Sequence, residues 1–173
     1  MEGPTTKEHK KHENIFVGAA VITLSDTRTL AEDDSGHLIR RMLEEEGHNV
    51  PLHVVIKDDK ELLRKQIEVA LHDDSIRLII TNGGTGVGPR DITIETVKPF
   101  LDKEISAFGV LFTELSYADI GTSALLSRAS AGIAQGKAIF SVPGSPKAVE
   151  LAMKRLILPE LQHVLHHIKE VKR

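Results

Sequence analysis

Three times in its first 101 residues the chain passes from a short apolar run rich in β-branched residues into a segment of helical periodicity, a repetition that builds a parallel, doubly wound sheet. The first run, Phe16 to Leu24 (FVGAAVITL), is apolar almost throughout, the pattern of a central strand covered on both faces. Ser35 to Glu46 follows with Leu38, Ile39, Met42 and Leu43 on one helical face and stops at Gly47, a residue suited to a helix C-terminus. Val50 to Lys57 predicts a second strand, and Lys60 to His72 a helix with Leu62, Leu63, Gln66, Ile67, Ala70 and Leu71 on one face. Arg77 to Thr81 (RLIIT) is the third run, followed by a dense glycine cluster and a helical segment from Thr93 to Leu101.

The second half is less regular. Ile105 to Tyr117 predicts a helix apolar on most sides, and such a helix needs a partner, which points to association between copies of the chain. Residues 121–132, rich in glycine and serine, suggest a loop over a site, and the runs 131–134 and 137–142 around Gln135-Gly136 predict a hairpin that adds an antiparallel element. Ser145 and Pro146 have the residue types of an N-cap and first helical position; that helix is expected to reach about Leu158, with Pro159 opening a last short helix. The fold class is therefore α/β with a mostly parallel sheet. At 173 residues one domain is expected, residues 15–173, behind a disordered tail, residues 1–14, too polar to offset its ordering entropy.

Composition removes several functions. Aromatics at 3% leave few platforms for stacking bases, and a net charge of −3 offers no field for a phosphate backbone, so no nucleic-acid partner is expected. Without cysteine there is no disulfide, thiolate metal site or thiol nucleophile. No long apolar span or leader-like segment is present, so a cytoplasmic protein without a membrane partner is expected.

The strongest chemical signal is the run from Thr81 to Asp91, TNGGTGVGPRD, directly after a buried strand. Ligands of open sheets sit at the carboxyl ends of strands, and glycines let backbone N–H groups reach a phosphate. A phosphorylated ligand is the functional expectation and a plain turn the alternative; the spacing is neither a Walker A loop nor a dinucleotide fingerprint. Ser25-Asp26-Thr27, Asp33-Asp34-Ser35-Gly36 and Asp58-Asp59 fall on the same expected edge, where carboxylates could hold Mg²⁺ with substrate phosphates. Each has a bland alternative: Asp34 or Ser35, Asp58 or Asp59, and Asp91 could simply cap the helices that follow. The turn from Pro143 to Lys147 is a second candidate anion cradle, or only a helix start. His163 and His167 share a helical face, but with no further ligand set in the sequence they are read as solvated.

Taken in order, SDTRTLAEDDSGHLI, TNGGTGVGPRDIT, LSRASAG and VPGSPKAV resemble the MoaB and MogA family of molybdenum-cofactor biosynthesis, the MoaB branch most, over about residues 16–163. The resemblance implies a three-layer α/β/α molybdopterin-binding fold, a homo-oligomer (trimer or hexamer), and in active members the Mg²⁺-dependent transfer of AMP from ATP to molybdopterin. Motif by motif, it implies Asp58 and Asp91 as catalytic, Mg²⁺-positioning carboxylates, and Gly83, Gly84, Thr85 and Gly86 as the cradle of nucleotide phosphates. It implies Ser25, Asp34, Ser35, Ser127, Arg128, Gly144, Ser145 and Lys147 as contacts to the pterin or its phosphate. Other proteins of cofactor biosynthesis would be its partners. Lys57 and Ile94 stand where the adenylyltransferase branch often carries proline. A non-catalytic protein that binds and delivers molybdopterin is the alternative.

Overall fold

The computed structural model describes residues 13–169. The expected tail therefore lies outside the described residues except for Glu13 and Asn14, which are exposed. Six strands form one sheet in the order β2-β1-β3-β6-β5-β4, with β1 Gly18–Leu24, β2 Asn49–Ile56, β3 Ile76–Asn82, β4 Lys103–Glu104, β5 Ser130–Ala134 and β6 Lys137–Val142. β2, β1, β3 and β6 run parallel, whereas β5 is antiparallel to both β6 and β4. The predicted hairpin is therefore present, and β5–β6 turns at Gln135, whose φ is +50°.

Helices α1 Asp34–Glu45, α2 Lys60–His72, α3 Thr93–Val97, α4 Ser106–Ile120, α5 Pro146–Ala152 and α6 Leu158–Lys169 cover the two faces. The alternation of side chains along a strand divides the core in two. Ala19 and Val21 join Ile39 and Leu43 of α1, Phe112 of α4, Val149 of α5 and Leu161 of α6, while Ala20, Ile22 and Leu24 join Leu63 and Ile67 of α2 and Val97 of α3. Helix–sheet–helix layering follows directly, and every residue of β1 is buried, as its apolar run required.

The structure departs from the sequence expectation at two places in these helices. Pro159 does not begin a separate helix: α5 continues through a π turn, Met153–Ile157, into α6. Proline lacks an N–H and its ring collides with the carbonyl four residues back, and the widened turn accommodates both. Residues 121–132, expected from sequence to be a loop, form a 3₁₀ segment, Gly121–Leu126, and then enter β5. One buried cation was also not foreseen: Lys137, 6% exposed, donates from Nζ to the carbonyls of Ala70 and Asp73 at the end of α2. That contact satisfies orphan carbonyls at a helix C-terminus.

Parallel register brings four chain exits to one edge, since Leu24 pairs with Ile56, Thr23 with Asn82 and Asn82 with Val142. Ser25, Lys57, Gly83 and Pro143 consequently leave the sheet side by side. Because β1 lies between β2 and β3, this edge is also where the winding reverses, the position at which open α/β sheets bind ligands.

Candidate active site

The glycine loop fixes the floor of the site. Gly83 and Gly84 have φ of +95° and +63°, a region costly to residues with a Cβ. Gly83 N donates to the Val142 carbonyl, Thr93 N to the Gly84 carbonyl and Thr93 Oγ1 to the Gly83 carbonyl, so the loop is tied to β6 and α3. A Cβ on Gly144 would lie 2.9 Å from Gly83 Cα, which brings the second turn into backbone contact with the first. Arg128 tightens the far side: its Nε donates to the carbonyls of Thr85 and Gly86, Nη2 to Gly86, and Nη1 pairs with Glu95 at 2.7 Å.

The carboxylates divide by capping. Asp33, not Asp34 or Ser35, caps α1 by accepting from Gly36 N, and Asp59, not Asp58, caps α2 by accepting from Leu62 N. Asp91 caps nothing; its Oδ2 accepts from Gly88 N at 2.8 Å. Asp58 and Asp91 therefore carry no helix-capping duty, and both line an open cavity of about 470 Å³ with Ser25, Gly83, Gly84, Gly144 and Ser145. Ser25 Oγ accepts from the N–H groups of Thr27 and Arg28 and shapes the loop after β1. Ser145 caps α5 through Ala148 N, and Ser35 Oγ donates to the Gly144 carbonyl at 2.7 Å.

Other expected site residues lie elsewhere. Asp34 is exposed in the first turn of α1, outside the lining of this cavity. Lys147 faces α4, 3.6 Å from Asp119, and Ser127 lines a groove along α4 together with Arg128. Thr85 is buried beneath the loop, and Gly86 is spanned by Arg128.

Three further charged residues complete the cavity: Asp26, expected from sequence among the edge carboxylates able to hold Mg²⁺, and Arg28 and Arg90, to which the sequence assigned no role of their own. Asp26 Oδ2 pairs with Arg90 at 2.5 Å, its Oδ1 accepts from Asp58 N, and Arg28 reaches the Gly144 carbonyl. Their signal was positional, charge within loops that end parallel strands. Burial pushes the Asp58 carboxyl up, the Asp26 charge pushes it further, Arg90 pulls it down, and Asp91 adds to the rise. The cavity thus carries a surplus of hard, anionic oxygen donors. Among the described residues no three His, Cys, Asp or Glu side chains form a group able to hold an ion by themselves. Mg²⁺ characteristically takes one or two carboxylates and completes its shell with phosphate and water, so Asp58 and Asp91 are a donor pair that could hold that ion beside a phosphate group.

Beneath the floor lies a polar network that the sequence did not reveal. Asp33 Oδ2 accepts from Thr23 Oγ1 at 2.6 Å and from His53 Nε2 at 2.8 Å, and Asn82 Nδ2 donates to Thr23 Oγ1. It joins β1, β2, β3 and α1 directly below the loops.

Residues 20–163 match the family described as probable molybdopterin binding domain. The chain is 49% identical over 158 residues to molybdenum cofactor biosynthesis protein B of Bacillus cereus, covering 91% of this chain and 94% of that one. With the Bacillus subtilis protein of the same name the identity is 44% over 169 residues, 97% and 99% of the two chains. A crystal structure of a molybdenum cofactor biosynthesis protein B superposes with a TM-score of 0.88 at 46% identity, over 92% of this chain and 99% of that one. The tungsten cofactor synthesizing protein MoaB from Pyrococcus furiosus superposes with a TM-score of 0.80 at 37% identity, over 89% and 98%. With the predicted three-layer fold in place and the glycine loop at its switch point, the chain belongs to the MoaB/MogA family of molybdopterin-binding-domain proteins of molybdenum cofactor biosynthesis.

Proposed function

We propose that this protein binds molybdopterin at the carboxyl edge of its sheet and transfers AMP to it from Mg-ATP. The observation that carries the reading is the meeting of Asp58 and Asp91, neither engaged in capping, across the glycine loop in one cavity with Arg90. In the reaction a terminal phosphate oxygen of molybdopterin forms a bond to the α-phosphorus of ATP, the bond from that phosphorus to the pyrophosphate oxygen breaks, and pyrophosphate leaves. Adenylylated molybdopterin is the product. Bound Mg²⁺ supplies charge neutralisation on the triphosphate.

The chain's own part is positioning and electrostatics. Gly84, on the floor of the cavity, offers its backbone N–H to a phosphate oxygen, while Gly83 N is held by the Val142 carbonyl and keeps the loop in place. Asp58 and Asp91 would hold the cation that accompanies the triphosphate, and a positive charge there would offset the burial and the Asp26 charge that raise Asp58. Arg90 and Arg28 balance charge that develops on the leaving pyrophosphate. Ser25, Gly144 and Ser145 form the opposite rim for the pterin phosphate, and Ser35 holds that rim through Gly144.

Incubation with Mg²⁺, ATP and molybdopterin should give adenylylated molybdopterin and pyrophosphate. Folded Asp58→Asn and Asp91→Asn variants should lose about 10²–10³-fold in rate, the scale of removing one preorganised electrostatic group. Tight molybdopterin binding with no product would overturn adenylyl transfer and make the protein a carrier. The same reading includes a cytoplasmic homo-oligomer. Its support is α4, where Val110 is 68% and Tyr117 60% exposed, with Leu125 beyond it 82% exposed. Light scattering should give a trimer or hexamer for the wild type and a smaller species for Val110→Asp; a monomeric wild type at micromolar concentration refutes the association.

A further inference from the structure

The histidines of α6 take no part in the cleft chemistry. Gln162 ties this helix to the segment leading into β1, accepting from Ile15 N at 2.8 Å and donating to its carbonyl at 3.0 Å, so His163 and His167 sit toward the sheet edge opposite the cleft. The two rings lie one helical turn apart with centroids 4.7 Å apart and planes tilted by 49°, and their Nε2 atoms are 3.0 Å from one another. His163 Nδ1 is 3.2 Å from Glu160 Oε2.

We infer that His163 and His167 form a bidentate site for a late first-row divalent metal ion, Cu²⁺ before Ni²⁺ and Zn²⁺. Two imidazole nitrogens bound at about 2.0–2.1 Å to one ion stand about 2.9 Å apart when they occupy adjacent corners of a square, and about 3.3 Å apart at tetrahedral corners. The observed 3.0 Å is the hydrogen bond of the metal-free pair, close enough that small ring rotations bring both nitrogens to one ion. Tetragonal nitrogen coordination selects Cu²⁺ or Ni²⁺, and the general order of divalent affinities places copper first.

Glu160 supplies the orienting contact that metal-binding histidines characteristically have. A carboxylate on one ring nitrogen holds the N–H there and leaves the other nitrogen with its lone pair outward. By accepting from His163 Nδ1–H, Glu160 makes His163 Nε2 the free donor atom. In the metal-free pair His167 Nε2–H donates to that lone pair; on binding, the His167 proton passes through solvent to its own Nδ1 and the rings turn so that both Nε2 lone pairs face the ion, with no proton gained or lost by the pair. No third His, Cys, Asp or Glu side chain completes a cluster among the described residues, so water fills the remaining positions. The chelate bridges consecutive turns near the end of α6, and occupancy stabilises the folded chain.

The test is titration of the untagged full-length chain with CuSO₄, NiSO₄ and ZnSO₄, with electron paramagnetic resonance on the copper form and thermal unfolding alongside. Expected are one strong copper equivalent with two equatorial imidazole nitrogens, affinity in the order Cu²⁺ over Ni²⁺ over Zn²⁺, and a melting temperature raised by copper. His163→Ala and His167→Ala, at exposed positions of α6, should each weaken copper binding by more than tenfold and abolish the thermal shift. Glu160→Gln should weaken it by about 10-fold, the low end for loss of an orienting partner. Undiminished binding in both histidine variants overturns the site, as does a copper signal that disappears only in His9→Ala/His12→Ala.

Discussion

Removal of the Asp33 carboxylate tests whether the buried network is what positions the loops above it. The side chain is fully buried and accepts three hydrogen bonds, from Thr23, His53 and Gly36. Asp33→Ala deletes the α1 cap, worth about 1 kcal/mol. It also orphans the Thr23 hydroxyl and the His53 ring N–H, each costing about 1–3 kcal/mol when left buried. Hydroxyl rotation and water entry recover part of this, which leaves an expected loss of about 3–5 kcal/mol. For a chain of this size that lowers the melting temperature by roughly 6–20 °C. Equilibrium urea unfolding at fixed protein concentration, followed by circular dichroism, measures it, with an unchanged m value. Burial alone would raise the Asp33 carboxyl, but the bonds from His53, Thr23 and Gly36 outweigh it and hold the group below the usual carboxylate range. Its native pKa is depressed, so its contribution is complete above the unfolded value of about 3.9 and is lost as pH falls through the native value. The gap between wild type and variant should therefore narrow toward acid. A loss under about 1 kcal/mol at pH 7, or a gap that widens on acidification, refutes the network as a structural pin.

Gly84→Ala should fold yet lose adenylyl transfer, because its φ of +63° costs a side chain about 1–2 kcal/mol. The new Cβ would also stand 2.6 Å from Thr93 Oγ1 and 3.1 Å from Asp58 Oδ1, and steady-state kinetics on the folded variant reads the effect. Arg128→Ala frees the carbonyls of Thr85 and Gly86, so hydrogen exchange across residues 84–90 should accelerate while exchange in β1 does not. Asp58→Asn should raise the melting temperature at pH 7 while removing activity. The folded pKa of Asp58 is raised, so the folded state is penalised as pH climbs through that value, and the amide removes the penalty. The stabilisation should vanish near pH 3, where both side chains are neutral, and a variant less stable than wild type at pH 7 would count against a carboxylate penalised by burial and by the Asp26 charge.

The parallel half of the fold was readable because its signals are local. Lys60–His72 is helical as its apolar spacing predicted, and within the Phe16–Leu24 run Gly18–Leu24 is a strand buried along its length, with Phe16 exposed ahead of it. Ser145 caps α5 with Pro146 behind it, as residue type required. The continuation through Pro159 was hidden because a π turn is a tertiary accommodation with no residue signature of its own. Within the candidate site, the motifs marked loops that the structure brings to one cavity, but not how their residues divide the work. Asp33 and Asp34 are adjacent acids, and only the path of the chain puts one beneath the sheet edge and the other in solvent. Arg128 stood in a recognisable motif, yet its guanidinium is spent on backbone carbonyls more than 40 residues away in sequence, which makes it a brace for the glycine loop. That assignment bears on how the cleft works. A loop whose carbonyls are tied down by a cation turns its N–H groups the other way, so Arg128 presets the donors that a triphosphate would meet without touching the ligand. Weaker nucleotide binding in Arg128→Ala, with the Asp58 and Asp91 carboxylates intact, would separate this preorganisation from the charge balance of the cavity.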